Sequence, residues 1–190
     1  MAEIDYSKRS FNYYPTESIV YSKCVDGRWS KPVVTNDFNF SIHCFAGIFH
    51  YAPSCFEGLK AYRGADGRVR MFRPDENAKR MDSSARYLDM PAPPMELFLD
   101  ACTLCVQANW DYIPPYESGA SLYLRPVLFG INPQLGIHSA KDVMFAVMAL
   151  QQGSHQGGAS RVHSHHRLQL PTRLQRPEMA RIQHLRRRKR

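Results

Sequence analysis

All 22 aromatic residues of this 190-residue chain lie before Gln151, and that single boundary limits where a core can form. Aromatic side chains carry much of the buried area of small cores, about 150–250 Å² each. Residues 151–190 hold nine Arg, six Gln and five His and have almost no apolar periodicity. Such a segment cannot bury enough apolar surface to offset a backbone ordering cost of about 1–2 kcal/mol per residue, so disorder is expected there. The folded domain is therefore expected over residues 1–150. Charge divides at the same point. The chain has 25 Lys and Arg against 17 Asp and Glu, of which ten bases and one acid lie in 151–190, leaving fifteen bases against sixteen acids in the body. The body is nearly neutral, and the basicity belongs to the tail.

Within the body, "ESIVYSKCVDGRWSKPVV" reads as a hairpin turning at Asp26-Gly27. The aromatic-rich "NDFNFSIHCFAGIFHY" reads as mostly strand. Residues 56–63 and 68–73 form a second hairpin around "GADG", with Asp66 and Gly67 expected to supply positive φ angles. Two helices follow. "RPDENAKRMDSSARYLDM" has Pro74 for its first turn and Asp75 and Glu76 at its positive end; "PPMELFLDACTLCVQANW" is the second. "ASLYLRPVLFG" alternates, placing Tyr123 and Arg125 on one face and Leu122 and Leu124 on the other, whereas "KDVMFAVMAL" is apolar throughout and reads as a strand covered on both sides. Strands and helices mix without βαβ alternation. The expected fold class is therefore α+β, a mainly antiparallel sheet with flanking helices.

Five cysteines, an odd number, and an N-terminus without a secretion-signal pattern favour a cytoplasmic, reducing setting. No apolar run approaches the roughly 20 residues of a spanning helix. Cys102 and Cys105 have C-x-x-C spacing, but they fall inside an apolar-periodic run without a second ligand pair, so they read as core residues on a helix face. No metal site is expected. His163, His165 and His166 lack acids, cysteines or a rigid element around them.

The stretch "CFEGLKAYRGADGRVRMFRPDENAKR" brings a hairpin next to the start of a helix. Period two places Phe56, Gly58, Lys60 and Tyr62 on one side of the strand, and Gly58 leaves space where a larger side chain would intrude. That side can form a pocket wall. Arg80, on the following helix, carries a planar fork of donors suited to a phosphate. Solvated Lys and Arg on a hairpin packed against a helix is the alternative that the pattern leaves open.

"HYAPSCFEGLKAYRGADGRVRMFRPDENAKRM" together with "SGASLYLRPVLFGINPQLGI" resembles the N-terminal domain of the branched-chain amino acid aminotransferases, fold-type-IV enzymes that use pyridoxal 5′-phosphate. The similarity runs from about residue 35 to about residue 150, through F-E-G-L-K-A-Y-R, F-R-P-D-x-N-x-x-R-M, S-L-Y-x-R-P and P-x-L-G. The resemblance implies that Arg80 binds the cofactor phosphate. It also implies that Tyr51 and Phe56 line an apolar pocket for Leu, Ile or Val. Tyr123 would shape that pocket, Arg125 would recognise substrate carboxylate directly or through neighbours, and Ile137 would border the pocket across a homodimer interface. Lys60 gains no catalytic role from the resemblance. The implied reaction passes an amino group from a branched-chain amino acid to 2-oxoglutarate, giving a 2-oxoacid and glutamate.

The family's Schiff-base lysine lies in a motif close to G-T-G-x-x-K-x-G-G-N-Y, beyond the position of Leu150. No such motif occurs here, and the one lysine after residue 150 is Lys189 in "RRRKR". No catalytic residue is therefore assigned, the second domain is read as missing, and the chain as given is expected to be inactive. The abrupt change at Gln151 suggests out-of-frame translation of residues 151–190. Two other readings stand beside it: a truncated paralogue serving as an interaction subunit, and a basic tail that contacts nucleic-acid phosphates, for which stacking aromatics are absent.

Overall fold

The computed structural model describes residues 6, 13, 14 and 16–153. Its elements, in chain order, are β1 Ile19–Val25, β2 Arg28–Trp29, β3 Val33–Thr35, α1 Gly47–His50, β4 Ser54–Phe56, β5 Leu59–Arg63, β6 Val69–Met71, α2 Pro74–Tyr87, α3 Met95–Ala108, β7 Ser121–Gly130 and β8 Val143–Gln152. The strands form one sheet in the order β2-β1-β8-β7-β5-β6, with β3 beside β1 and β4 beside β7. Every pairing is antiparallel. The α+β reading is thus met. Among the described residues, no helix is long and apolar enough to cross a membrane.

Turn chemistry sets the first hairpin. Val25 faces Arg28, and the two residues between them, Asp26 and Gly27, have φ of 50° and 72°, the left-handed pair that matches the twist of flanking strands. The second turn is closed differently from expectation. Of Asp66 and Gly67 only Gly67 has positive φ, at 73°. The Asp66 carboxylate instead accepts the Arg68 N–H at 3.1 Å and the Arg70 guanidinium at 2.9 and 2.6 Å. The side chain, rather than the backbone angle, secures that corner.

The centre of the sheet is the β7–β8 pair, in register from Ser121 opposite Gln152 to Gly130 opposite Val143. β8 is buried along nearly all its length and continues through Gln151 and Gln152, two residues past the expected boundary at Leu150. Residues 154–190, with the histidine cluster and Lys189, lie outside the described residues.

Helix α3 covers one face of the sheet with Phe98, Ala101, Cys102, Cys105, Val106 and Ala108 buried; Phe98 stacks on Phe145 at 5.6 Å. The C-x-x-C pair is core, as expected. Burial pushes the Cys105 thiol up to about 12 and Cys102 well above the ordinary thiol range. At the end of α3 the buried Asn109 accepts the N–H groups of Glu17 and Ser18 at 2.9 and 3.0 Å and donates to the carbonyls of Ser18 and Cys105 at 2.8 and 2.9 Å. One side chain thereby joins the entry of β1 to the helix terminus. Helix α2 packs Ala78, Met81 and Ala85 into the same core as Leu59, Ala61, Val69 and Met71.

The stretch 36–51 departs from its strand reading. It is a loop ending in the single turn α1. Its backbone groups bond to a second loop, Gly47 N–H to the Asn132 carbonyl at 3.2 Å and Gln134 N–H to the Phe45 carbonyl at 2.9 Å, while Phe40 packs between the rings of Tyr21 and Phe129. Local β propensity is a weak preference that side-chain packing overrides.

Candidate functional site

The site strand is in two pieces. β4 and β5 both pair with β7 in one register, Phe56 opposite Val127 and Leu59 opposite Leu124. Between them Glu57 N–H reaches the Pro126 carbonyl at 2.9 Å. Proline has no N–H to return that bond, so the ladder opens at Glu57 and Gly58 instead of running unbroken as the sequence suggests.

Alternation is kept across the gap. Leu59 and Ala61 are buried toward the core, while Lys60 and Tyr62 lie on the side shared with Phe56 and Gly58. On that side three expected residues meet. The Arg125 guanidinium carbon lies 4.3 Å from the centre of the Phe56 ring and 5.4 Å from that of Tyr123, and Arg125 Nε donates to Tyr123 Oη at 3.1 Å. Stacking on two rings holds a cation without neutralising it. Gly58 lies directly beneath: a Cβ there would stand 2.5 Å from Tyr123 Oη. The space attributed to Gly58 is therefore filled by the Tyr123 hydroxyl.

Tyr51 and Ile137 form a second group. Tyr51 Oη accepts the Gly136 N–H at 2.7 Å, which fixes the loop bearing Ile137, itself 86% exposed. His50 is tilted beside Tyr51 and stacked on Phe45 at 5.7 Å.

Arg80 forms the third group, and its surroundings were not legible in advance. Its Nε and Nη2 donate to the two carboxylate oxygens of Glu57 at 3.1 and 2.8 Å. Asn77, one turn earlier on the same helix face, adds Nδ2 to Glu57 Oε2 at 2.7 Å and to the Gly58 carbonyl at 3.2 Å. The Glu57 side chain is only 11% exposed, whereas that of Arg80 is 60% exposed. Glu57 alternates with Phe56, so Arg80 grips the strand from the helix-covered face, opposite the Phe56–Arg125–Tyr123 stack. Gly58 is common to both sides. It also lines a cleft of about 340 Å³ with Lys60, Arg73, Asn77 and Arg80. Bonding to Glu57 raises the Arg80 pKa further, so the guanidinium is charged at all working pH values. The signals that could have revealed Glu57 and Asn77 are a carboxylate in antiphase with Phe56 and an Asn three residues before an Arg on a helix.

Beside this region Cys55 is partly buried, and burial, with the Glu57 charge adding to it, pushes its thiol up to about 11. All five cysteines are free. Among the described residues, no group of three or more His, Cys, Asp or Glu is placed to hold a metal ion.

No family model matches the chain. Curated relatives do. The chain is 41% identical over 155 residues to a branched-chain-amino-acid aminotransferase of Haemophilus influenzae, covering 82% of this chain and 45% of that protein. It is 40% identical over 156 residues to the chloroplastic branched-chain-amino-acid aminotransferase 5 of Arabidopsis thaliana, covering 82% of this chain and 37% of that one. Among solved structures, the branched-chain aminotransferase of Thermoproteus uzoniensis with norvaline superposes with a TM-score of 0.54 at 22% identity, over 72% of this chain and 41% of that one. The branched-chain amino acid aminotransferase of Thermobaculum terrenum in its PLP-form gives a TM-score of 0.52 at 17% identity, over 73% and 40%.

The fold is that of the N-terminal domain of these aminotransferase structures, matched over about 40% of their length. The chain spans less than half the length of these curated relatives. Within that span it belongs with the branched-chain aminotransferases.

Proposed function

We propose that residues 16–153 supply the substrate-facing half of a branched-chain aminotransferase site, which transfers an amino group between Leu, Ile or Val and 2-oxoglutarate with pyridoxal 5′-phosphate. One observation carries the reading: Arg125 is held between Phe56 and Tyr123 with no hydrogen bond to its Nη1 or Nη2 among the described residues. A cation fixed between two rings and open at its outer edge suits a carboxylate whose apolar side chain rests on those rings. Phe56 is 62% exposed, a state that favours burial against a bound aliphatic group.

The residues present also suit the cofactor's phosphate end. Arg80 spends Nε and one bond of Nη2 on Glu57, and its Nη1 has no hydrogen bond among the described residues. When bound, pyridoxal 5′-phosphate supplies the electron-withdrawing ring that makes the substrate α-proton removable. The protein's share here is to bind and orient. Arg80 holds a phosphate oxygen, Arg125 holds the carboxylate, and Phe56, Tyr51 and Ile137 keep water from the aliphatic side chain. Exposed Phe45, Phe49, Leu135 and Ile137 around Tyr51 suit a second copy of the chain closing over this edge, in line with a homodimer. Five free thiols suit a reducing, cytoplasmic setting.

No residue of this half is assigned to move the proton, and the sequence holds no lysine in the expected glycine-rich motif. The 190-residue chain is therefore expected to bind without turnover. On this reading the division between domain and tail falls after β8. Gln151 and Gln152 are buried where the strand's apolar residues would continue, and Gln152 Oε1 has no hydrogen-bond partner among the described residues. A buried, unsatisfied carbonyl of that kind costs about 1–3 kcal/mol, which supports a change of reading frame near codon 151. Sequencing the coding DNA tests this: an alternative frame should encode the lysine motif and the rest of the relatives' length. Fluorescence titration with pyridoxamine 5′-phosphate, with Arg80→Ala as comparison, tests the site. Equal binding by both proteins would refute the role of Arg80.

A further inference from the structure

We infer that Lys60 is a second cation for the phosphate group at the Arg80 cleft, a role that rests on the proposed binding of a phosphate ester there. Four charged side chains line this cleft, Lys60, Arg73, Glu76 and Arg80, and the last three are paired. Arg80 is paired with Glu57 at 2.8 Å, and Arg73 with Glu76 at 3.2 Å; Glu76 also takes Lys79 Nζ at 2.8 Å. Lys60 lines the same cleft, and among the described residues no carboxylate lies within ion-pairing distance of it. Both carboxylates are thus engaged by the arginines and Lys79, and Lys60 is left without an acidic partner among the described residues.

Lys60 is not a freely swinging surface residue. It sits within β5, opposite Tyr123 in register with β7 and between Gly58 and Tyr62 on its face, and it is partly buried. A strand holds its Cα against the cleft wall, so the flexible part is only the four-carbon stem. An unpaired ammonium in a cleft also lined by two guanidinium groups is unfavourable while the cleft is empty of anions and favourable when a dianion enters. A phosphate monoester fits that requirement better than a carboxylate does. It carries about −1.5 to −2 charges near neutral pH and three acceptor oxygens, which a planar arginine edge and a lysine point charge can share. Arg80 provides the edge that Glu57 leaves open, and Lys60 provides the point charge from across the cleft.

The full 190-residue chain is titrated with pyridoxamine 5′-phosphate and, in parallel, with pyridoxamine, by ring fluorescence. Lys60→Gln keeps a polar chain of similar length and removes the charge; Lys60→Arg keeps the charge. Circular dichroism melts of each variant verify the fold. Lys60→Gln is expected to weaken the phosphate ester by about five- to tenfold and to leave pyridoxamine unchanged, with Lys60→Arg recovering most of the loss. Wild-type affinity for the ester in Lys60→Gln overturns the inference, and so does an equal loss for both ligands. If Arg80→Ala weakens the ester while Lys60→Gln does not, Lys60 fails and the Arg80 reading stands. If neither variant differs from wild type, both fail.

Discussion

Replacing Gly58 by Ala tests whether the glycine beneath the Tyr123 hydroxyl is there for room. The new Cβ would lie 2.5 Å from Tyr123 Oη, 3.2 Å from Cζ and 3.3 Å from Cε2. The hydroxyl cannot simply swing aside. It is bonded to Arg125 Nε at 3.1 Å, and the backbone of Tyr123 is held opposite both Lys60 and Leu150. Overpacking of this kind costs about 1–3 kcal/mol. An opposing contribution of about 0.4–1 kcal/mol comes from the reduced freedom of the unfolded chain, because Gly58 does not occupy the positive-φ region and Ala can adopt its backbone angles. The net expectation is a loss of about 1–2 kcal/mol, which for a domain of this size lowers Tm by roughly 2–8 °C. Differential scanning calorimetry of Gly58→Ala, Tyr123→Phe and the double variant measures the coupling. Removing the hydroxyl leaves contacts that small shifts absorb, so the double variant should lose less than the two single losses added together. A Gly58→Ala protein that melts with wild type, or strictly additive losses, would refute the steric account.

Asn109→Ala should destabilise by about 2–4 kcal/mol, since it strands the buried N–H and carbonyl of Ser18 and removes the part-buried bond to the Glu17 N–H; a urea titration reads the loss. In the native chain Cys44, which is exposed, should react first with a thiol reagent, and Cys102 and Cys105 only after denaturant is added, as followed by mass spectrometry of alkylated peptides. Arg70 holds the Asp66 carboxyl well below the usual carboxylate range, so the pair's contribution is present above the unfolded carboxylate pKa and fades as pH falls through the lower folded value. The Tm difference between wild type and Asp66→Asn should accordingly narrow as buffers are taken below about pH 4.

Where residue chemistry was local, the sequence was a good guide. Asp26-Gly27 required a left-handed turn and forms one; Pro74 begins a helix; the alternation of "SLYLRP" placed Tyr123 and Arg125 together, and the structure adds Phe56 to them. What stayed hidden depends on partners distant in sequence. The aromatic loop before α1 takes its hydrogen bonds from residues 132–134, and no local pattern encodes that. The engagement of Arg80 by Glu57 spans 23 residues and follows from the angle at which α2 meets the sheet. The break between β4 and β5 is caused by Pro126, a residue on another strand about 70 positions away, invisible to any reading of residues 54–63 alone.

That proline has a mechanical consequence. With one ladder bond missing, Glu57 and Gly58 are tied to the neighbouring strand by the Glu57 N–H alone, and this same span carries the carboxylate gripping Arg80 and the glycine under Tyr123. A substitution at Glu57 or Gly58 would therefore disturb contacts on both sides of the sheet at once.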